Sequence, residues 1–497
     1  MRDWLSKQQD CLIMLLLFFI LSSVYYATTS GLTSSNDGSH YALTRALAEN
    51  GRFAIAPFDA YAEGNDIAVR DGVFYSDRPP GTALLATLFY GFGSLLPEPF
   101  ATLPSRHDAD NPRLPYVMLL PVLAGAVTAV LLYWFMRRLQ ISAAAALLAT
   151  LIFGLGTLQW KYSTVLFSHA LATLLVVACV VLTDRSAAHH NRHTAIGRQT
   201  VALGFLLGLA VLVDYANGLL VGLVALWLLG AELGVWWRTG AAMPRRWLTV
   251  FGGLALGGLL PALFLAYYNQ TNFGSPFTLS YAYAINYPWA GEFSTTFSFP
   301  LVPGLQAMLW WGEGAGWCEG PCFNQGLFLL SPVLLLAIPG LYWYGRAAPK
   351  TALWTTAVFL IFLLLFARHQ TFHGFTGDGR YLVPFIGLLI PSLGFSLEWL
   401  LRHQARLWLT VGLLPVYGLF FLSLRNMLLH IGFSYNYNLQ LDQLEPLVAH
   451  PRNWAYIGRE IFPNLANLPL LWLVVGCGLL GAWAGGRLYQ AVTKRGP

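Results

Sequence analysis

Pro79-Pro80-Gly81-Thr82-Ala83-Leu84-Leu85-Ala86-Thr87-Leu88-Phe89-Tyr90-Gly91-Phe92-Gly93-Ser94-Leu95-Leu96 is the stretch on which the topology turns. The run from Gly81 to Leu96 is apolar, but glycines interrupt it. A helix that crosses a bilayer needs ~20 apolar residues. This run is shorter, so it reads as an interfacial or re-entrant helix that opens after the two prolines. The basic residues give the same answer. With the run left out of the spans, the short loops that carry Arg137/Arg138, Arg185/Arg192/Arg198, Arg238/Arg245/Arg246, Arg346/Lys350, Arg402/Arg406 and Arg487/Lys494/Arg495 all share the side of the N-terminus. That side then holds 17 of the 29 Lys and Arg and 5 of the 23 acids; the longer loops opposite hold 12 basic and 18 acidic residues. Positive charge gathers on the cytoplasmic side of membrane proteins, which places both termini there.

Twelve spans are expected near 11–29, 114–136, 142–160, 165–183, 200–214, 216–234, 247–267, 326–344, 351–367, 380–400, 407–426 and 467–486. The whole chain agrees with a membrane protein. Hydrophobic residues make up 56% and charged residues only 10% of 497, where a soluble domain carries about 25% charged residues. The runs lack the dyad alternation of a barrel, so the expected fold class is an all-α polytopic membrane protein. The first span follows Arg2 and Lys7 without a small-residue cleavage site, and is expected to be retained.

The polar mass lies in three outer loops, at about 30–113, 268–325 and 427–466. The active region is therefore expected on the outer, periplasmic or extracellular, face of the plasma (inner) membrane. No phosphate-binding glycine loop, dinucleotide fingerprint or nucleic-acid signature appears, so energy must come from an activated substrate or an ion gradient. His189, His190 and His193 lack a carboxylate or Cys at ligand spacing and read as part of a solvated cytoplasmic loop. Cys318 and Cys322 share an outer loop, where an oxidising compartment would favour a disulfide between them.

Several outer motifs occur in a telling order. Asn36-Asp37-Gly38-Ser39-His40-Tyr41 follows the first span, and Tyr75-Ser76-Asp77-Arg78-Pro79-Pro80-Gly81 comes next. Gly156-Thr157-Leu158-Gln159-Trp160-Lys161-Tyr162 leads to Leu166-Phe167-Ser168-His169. Gly208-Leu209-Ala210 precedes Asp214-Tyr215, then Asn272-Phe273-Gly274-Ser275-Pro276 and Gly379-Arg380-Tyr381-Leu382-Val383-Pro384 follow. From residue 10 to about 400 this series resembles the GT-C glycosyltransferases, the superfamily of the protein O-mannosyltransferases, the lipid A aminoarabinose transferases and bacterial lipid-carrier-dependent glycosyltransferases. The resemblance implies a catalytic module over 1–400, including outer loops 30–113 and 268–325. It leaves 401–497 as C-terminal transmembrane helices with outer loop 427–466.

It also implies an activity: transfer of a single sugar from a polyprenyl-phosphate carrier to a glycan, lipid or protein acceptor, with inversion. Asp37 would take the proton of the acceptor hydroxyl; as a plain feature of sequence, Asn36-Asp37-Gly38 is also a good turn and helix cap. Arg78 would hold the donor phosphate through parallel charge-assisted bonds, or else snorkel at the interface. Lys161 and Arg380 would add positive field, or anchor their helices at headgroup level. His169, Asp214, Tyr215 and Tyr381 are expected to line the substrate site. Where the family often has paired acids, this chain has Asn36 before Asp37. That pair holds a divalent cation less strongly than two carboxylates, so the metal requirement stays open. A transporter or a lipid or glycolipid flippase is the rival reading, since twelve spans suit it equally. Such proteins usually show two similar halves, and none is visible here.

Overall fold

In the computed structural model the described residues are 2–103, 111–188, 193–239, 244–313, 323–370, 378–403, 414–429, 431 and 462–493. His189, His190, Trp317, Cys318 and Cys322 lie outside them, and so does most of the 427–466 loop. The protein is a helical, multi-pass membrane protein. Eight helices among the described residues are long and apolar enough to cross a bilayer: Gln8–Ala27, Leu114–Arg138, His169–Ser186, Tyr215–Arg238, Trp247–Phe273, Pro349–Ala367, Arg380–His403 and Leu465–Trp483. Each coincides with an expected span. Ala143–Leu155, Gly197–Val213 and Leu414–Leu429 fall on three more expected spans but are shorter.

Among the described residues the count of twelve is not confirmed, and two of the expected spans are interrupted. The 326–344 stretch is broken, because Pro332 bends the chain after Leu327–Leu330 and the helix restarts at Ala337–Ala347. A proline disfavours the helical region for the residue before it, and Ser331 is at φ −128°, ψ 66°. The 142–160 stretch ends its helix at Leu155, where Gly156 caps it, and a separate turn follows at Gln159–Tyr162.

The deciding stretch forms helix α3 (Gly81–Gly93), 13 residues long. At 1.5 Å per residue that is ~20 Å, short of a ~30 Å hydrocarbon core. The helices on either side of it in sequence confirm that it does not cross. Asp10, near the start of α1 (Arg2–Ala27), accepts from Arg137 Nε at 2.8 Å and from Tyr133 at 2.7 Å. Tyr26, at the other end of α1, donates to the Pro115 carbonyl at 3.1 Å. Helix α1 and the helix at Leu119–Arg138 are therefore antiparallel, and the chain between them returns to the side it left.

Small residues set a close helix contact. The helices His193–Val213 and Pro244–Phe273 pack along a seam in which a Cβ on Gly257 would lie 1.9 Å from the Val201 carbonyl oxygen. One on Gly204 would lie 2.1 Å from the Leu254 carbonyl oxygen. Small residues permit such backbone approach between membrane helices. Gly257→Val is expected to push the pair apart at a cost of about 3 kcal/mol, read as a lowered unfolding temperature in detergent.

The first loop holds the elements that build the site. Helix α2 (Ser35–Asn50) begins at Ser34 with a reciprocal cap, Asp37 accepting from the Ser34 amide. It ends at Gly51 in the left-handed conformation. Strands β1 (Ile67–Arg70) and β2 (Val73–Ser76) form a hairpin closed by Asp71 and Gly72, both at positive φ. Two left-handed turn residues match the twist of antiparallel strands, and Asp-Gly is a favoured pair for them. The other edge of β1 meets the middle loop: Ala68 pairs with Ala284, and the Ile285 amide donates to the Ile67 carbonyl at 3.1 Å.

Candidate functional site

The hairpin register, Ile67 opposite Ser76, makes Asp66 a neighbour of Asp77 and Arg78. The Arg78 guanidinium is ion-paired to Asp66 through Nη2, and its Nε lies 3.1 Å from Asp77 Oδ1. Asp66 is fixed in turn by α2. Ser35 donates to its Oδ2 at 2.5 Å and Ser39 to its carbonyl at 2.7 Å. Past the two prolines, Gly81 abuts the end of the neighbouring helix: a Cβ there would meet the Leu212 carbonyl carbon at 2.6 Å. That contact brings the 77–81 turn beside Asp214, which caps the short turn at Tyr215–Asn217 by accepting from the Ala216 amide at 3.0 Å and lies in the field of Arg78.

The second cluster joins the Gln159–Tyr162 turn to the start of the Arg380 helix. Lys161 Nζ donates to Asp378 Oδ2 at 2.7 Å, with both side chains at 0% exposure. The Tyr162 hydroxyl reaches the same carboxylate at 2.9 Å. Two residues on, the Arg380 guanidinium lies 5.6 Å from the Phe167 ring centroid and 5.5 Å from that of Tyr381. Tyr381 packs against His369 and, at 6.3 Å, His169.

The two clusters are one site. His169 lies in the fields of Arg380 and Asp378 on one side and of His40 and Arg78 on the other. Tyr287 of the middle loop lies in the fields of Arg78, Asp77, Arg380 and Tyr381. The site sits where α1 ends, since Trp160 donates to Thr28 at 3.0 Å, and so opposite the Asp10–Arg137 end.

Burial shapes its charges. His40 is buried beside Arg78, and both influences push its pKa down to about 3, so its ring is neutral. Burial pushes the Asp77 carboxyl up to about 8. Asp37 is also raised by burial, to about 6, against the pull of its cap. Its Oδ2 accepts from the Thr33 amide at 2.8 Å and hydroxyl at 3.1 Å, and its Oδ1 from the Ser34 amide at 2.8 Å and hydroxyl at 3.0 Å.

Of the residues expected from sequence, Arg78, Lys161, His169, Asp214, Arg380 and Tyr381 come together, and Tyr215 joins them through Ser280 and Tyr281. Asp37 lies on α2 with Ser35, Ser39 and His40, the residues of that helix that face Asp66 and Arg78. Its hydrogen-bond partners among the described residues are its own cap and the Gly38 amide. Asp66, Asp77, His40 and Tyr287 were not anticipated. Asp71-Gly72 between two short β-branched or aromatic runs was the signal for the first two. Among the described residues no three His, Cys, Asp or Glu side chains gather to hold a metal ion.

Solved structures share this architecture. ArnT from Cupriavidus metallidurans bound to undecaprenyl phosphate matches with a TM-score of 0.51 at 14% identity, over 98% of this chain and 80% of that one. The fold is that of the GT-C glycosyltransferases. A second protein with the GT-C fold, the archaeal oligosaccharyltransferase AglB from Archaeoglobus fulgidus in complex with an inhibitory peptide and a dolichol-phosphate, matches with a TM-score of 0.50 at 13% identity. That match covers 92% of this chain and 60% of AglB. No family profile matches the sequence, and no curated protein matches it either.

Proposed function

We propose that this protein is a glycosyltransferase that moves one sugar from a polyprenyl-phosphate carrier to an acceptor, with inversion at the sugar carbon. The observation that carries the reading is convergence: Arg78, Lys161 and Arg380, from three distant segments, share one buried site with His169, Asp214 and Tyr381. The GT-C fold supports it, as do the lipid phosphates bound by ArnT and AglB.

The acceptor oxygen attacks the sugar carbon opposite the phosphate as the carbon–phosphate-oxygen bond breaks. The departing lipid phosphate gains negative charge, which fixed cations stabilise more in the transition state than in the ground state. Arg78 is suited to this part. Its Nε and Nη2 face Asp77 and Asp66, and its Nη1 has no partner among the described residues. Arg380 adds a second guanidinium, and Lys161 holds the Asp378 segment that precedes it. The acceptor's proton goes to Asp37, where the acceptor hydroxyl takes the place of the Thr33 or Ser34 hydroxyl on the carboxylate. The basic loops on the N-terminal side support an outer-face site with both termini cytoplasmic.

The test is transfer by the purified protein from polyprenyl-phosphate donors bearing different sugars. Arg380→Ala is expected to raise the donor KM by about tenfold to a hundredfold, the worth of one charged hydrogen-bonding group. An unchanged KM removes Arg380 from the site, and no transfer from any donor removes the reaction.

A further inference from the structure

Three carboxyl groups, those of Asp66, Asp77 and Asp214, surround Arg78. Among the described residues no other cationic side chain touches these acids, and the neighbouring His40 is neutral. With Asp77 raised to about 8 and largely protonated near neutral pH, this half of the site sets two further acids, Asp66 and Asp214, against the single guanidinium. The half around Arg380 and Lys161 carries two cations against Asp378.

Asp77 has the least support of the three acids. Asp66 is held by Ser35, and Asp214 by the Ala216 amide. The Asp77 carboxylate is fully buried, yet neither oxygen accepts a well-formed hydrogen bond from any described side chain, and only the off-line Arg78 Nε is near. The hydroxyl of Tyr268, also fully buried, lies in the field of Asp77 and lacks a partner among the described residues as well. Tyr215, Tyr281 and Tyr287 lie in the same field, and the rings of Tyr215 and Tyr281 meet edge to face at 5.4 Å. Ser280 ties it down by donating to the Asp77 carbonyl at 2.6 Å. Buried polar atoms are nearly always satisfied, and neighbouring orphans among tyrosines need an explanation. A sugar supplies what they lack: several hydroxyl donors on a body whose C–H face packs on aromatic rings.

We propose that Asp77, within Tyr215, Tyr268, Tyr281 and Tyr287, holds the transferred sugar, and that the excess acid around Arg78 restricts it to a neutral or positively charged sugar. Arg78 then marks the border, with one edge on the acids and Nη1 toward the phosphate. The inference rests on the glycosyltransferase reading and adds the class of sugar to it. A uronic acid would bring a further carboxylate to a guanidinium that already faces Asp66 and Asp214 in a buried setting, where like charges repel strongly.

The experiment compares polyprenyl-phosphate donors that carry a neutral hexose, an amino hexose or a hexuronic acid, together with bare polyprenyl phosphate, on the full-length protein. The wild type is expected to use the hexose or amino hexose with a kcat/KM at least about tenfold above that for the uronic acid. Asp77→Asn is expected to raise KM for the accepted donor about tenfold. Its affinity for bare polyprenyl phosphate should stay unchanged, which also reports a folded protein. Tyr268→Phe, which keeps the ring, is expected to raise the same KM a few-fold. The proposal is overturned if the uronic acid is the preferred donor. It is equally overturned if both variants leave donor KM as it was, or weaken bare lipid phosphate as much as the donor. A wild type that binds bare polyprenyl phosphate yet transfers none of the three sugars ends the sugar assignment. One that neither binds it nor transfers anything ends the underlying reading as well.

Discussion

Lys161→Met is expected to cost about 3–5 kcal/mol of stability, the largest single loss anticipated in this protein. The ammonium and its partner Asp378 are both at 0% exposure, 2.7 Å apart. Removing one member of a buried pair strips the other charge of its nearest opposite charge in a medium of low polarity. The Tyr162 hydroxyl, which also donates to this carboxylate, is neutral and offsets little. The loss should appear as a lowered unfolding temperature in detergent or as failure to accumulate in the membrane. The double change Lys161→Met with Asp378→Leu removes both charges and should recover most of the stability, since apolar replacements of buried pairs are often neutral. If the single variant is as stable as wild type, the pair is wetter than its burial implies.

Asp37→Asn is expected to lower transfer by about a hundredfold to ten-thousandfold, the usual share of a positioned general base. Donor binding should persist, because the amide keeps the size of the carboxyl. The wild type should report the same group through pH. Burial raises the Asp37 carboxyl to about 6, and only its ionised form takes a proton. Transfer should therefore be full well above pH 6 and fall about tenfold per pH unit below it, a limb that the Asn variant lacks. The same shift bears on stability with a definite sign. The folded pKa lies above the unfolded value of 3.8, so this group stabilises the fold below that value and the contribution is lost as pH rises through about 6. An acid-side fall in activity there thus cannot come from Asp37 unfolding the protein. Equal transfer by wild type and Asn variant at all pH values would assign the proton to another base.

The sequence disclosed most of the membrane architecture because long apolar runs and basic turns are local signals. The 81–96 run was legible as non-spanning from its length and the loop charges, and the antiparallel meeting of α1 with Leu119–Arg138 bears that out. The break at Pro332 and the stop at Gly156 were less visible, because hydrophobicity continues through both. Within the site, Arg78, Lys161 and Arg380 stand out as cations at apolar borders. Their pairing is a different matter. Lys161 and Asp378 are 217 positions apart, and nothing local in either stretch announces the other. Asp77 was in plain view inside a quoted motif, but its significance depends on burial and on tyrosines from the middle loop, which only the folded chain supplies.

The β1–β2 hairpin acts as a ruler for the charges it carries. Its two-residue turn and four-rung ladder set the spacing between Asp66 and the Asp77-Arg78 pair. Strand side chains alternate between faces, so adding one residue to either strand would swing a carboxylate or the guanidinium to the opposite side. Lengthening both strands together would preserve the facing but carry the turn outward. Length change in this segment is thus tolerated in matched steps only, and the tip at Asp71-Gly72 is where an inserted tag or label would disturb the chemistry least.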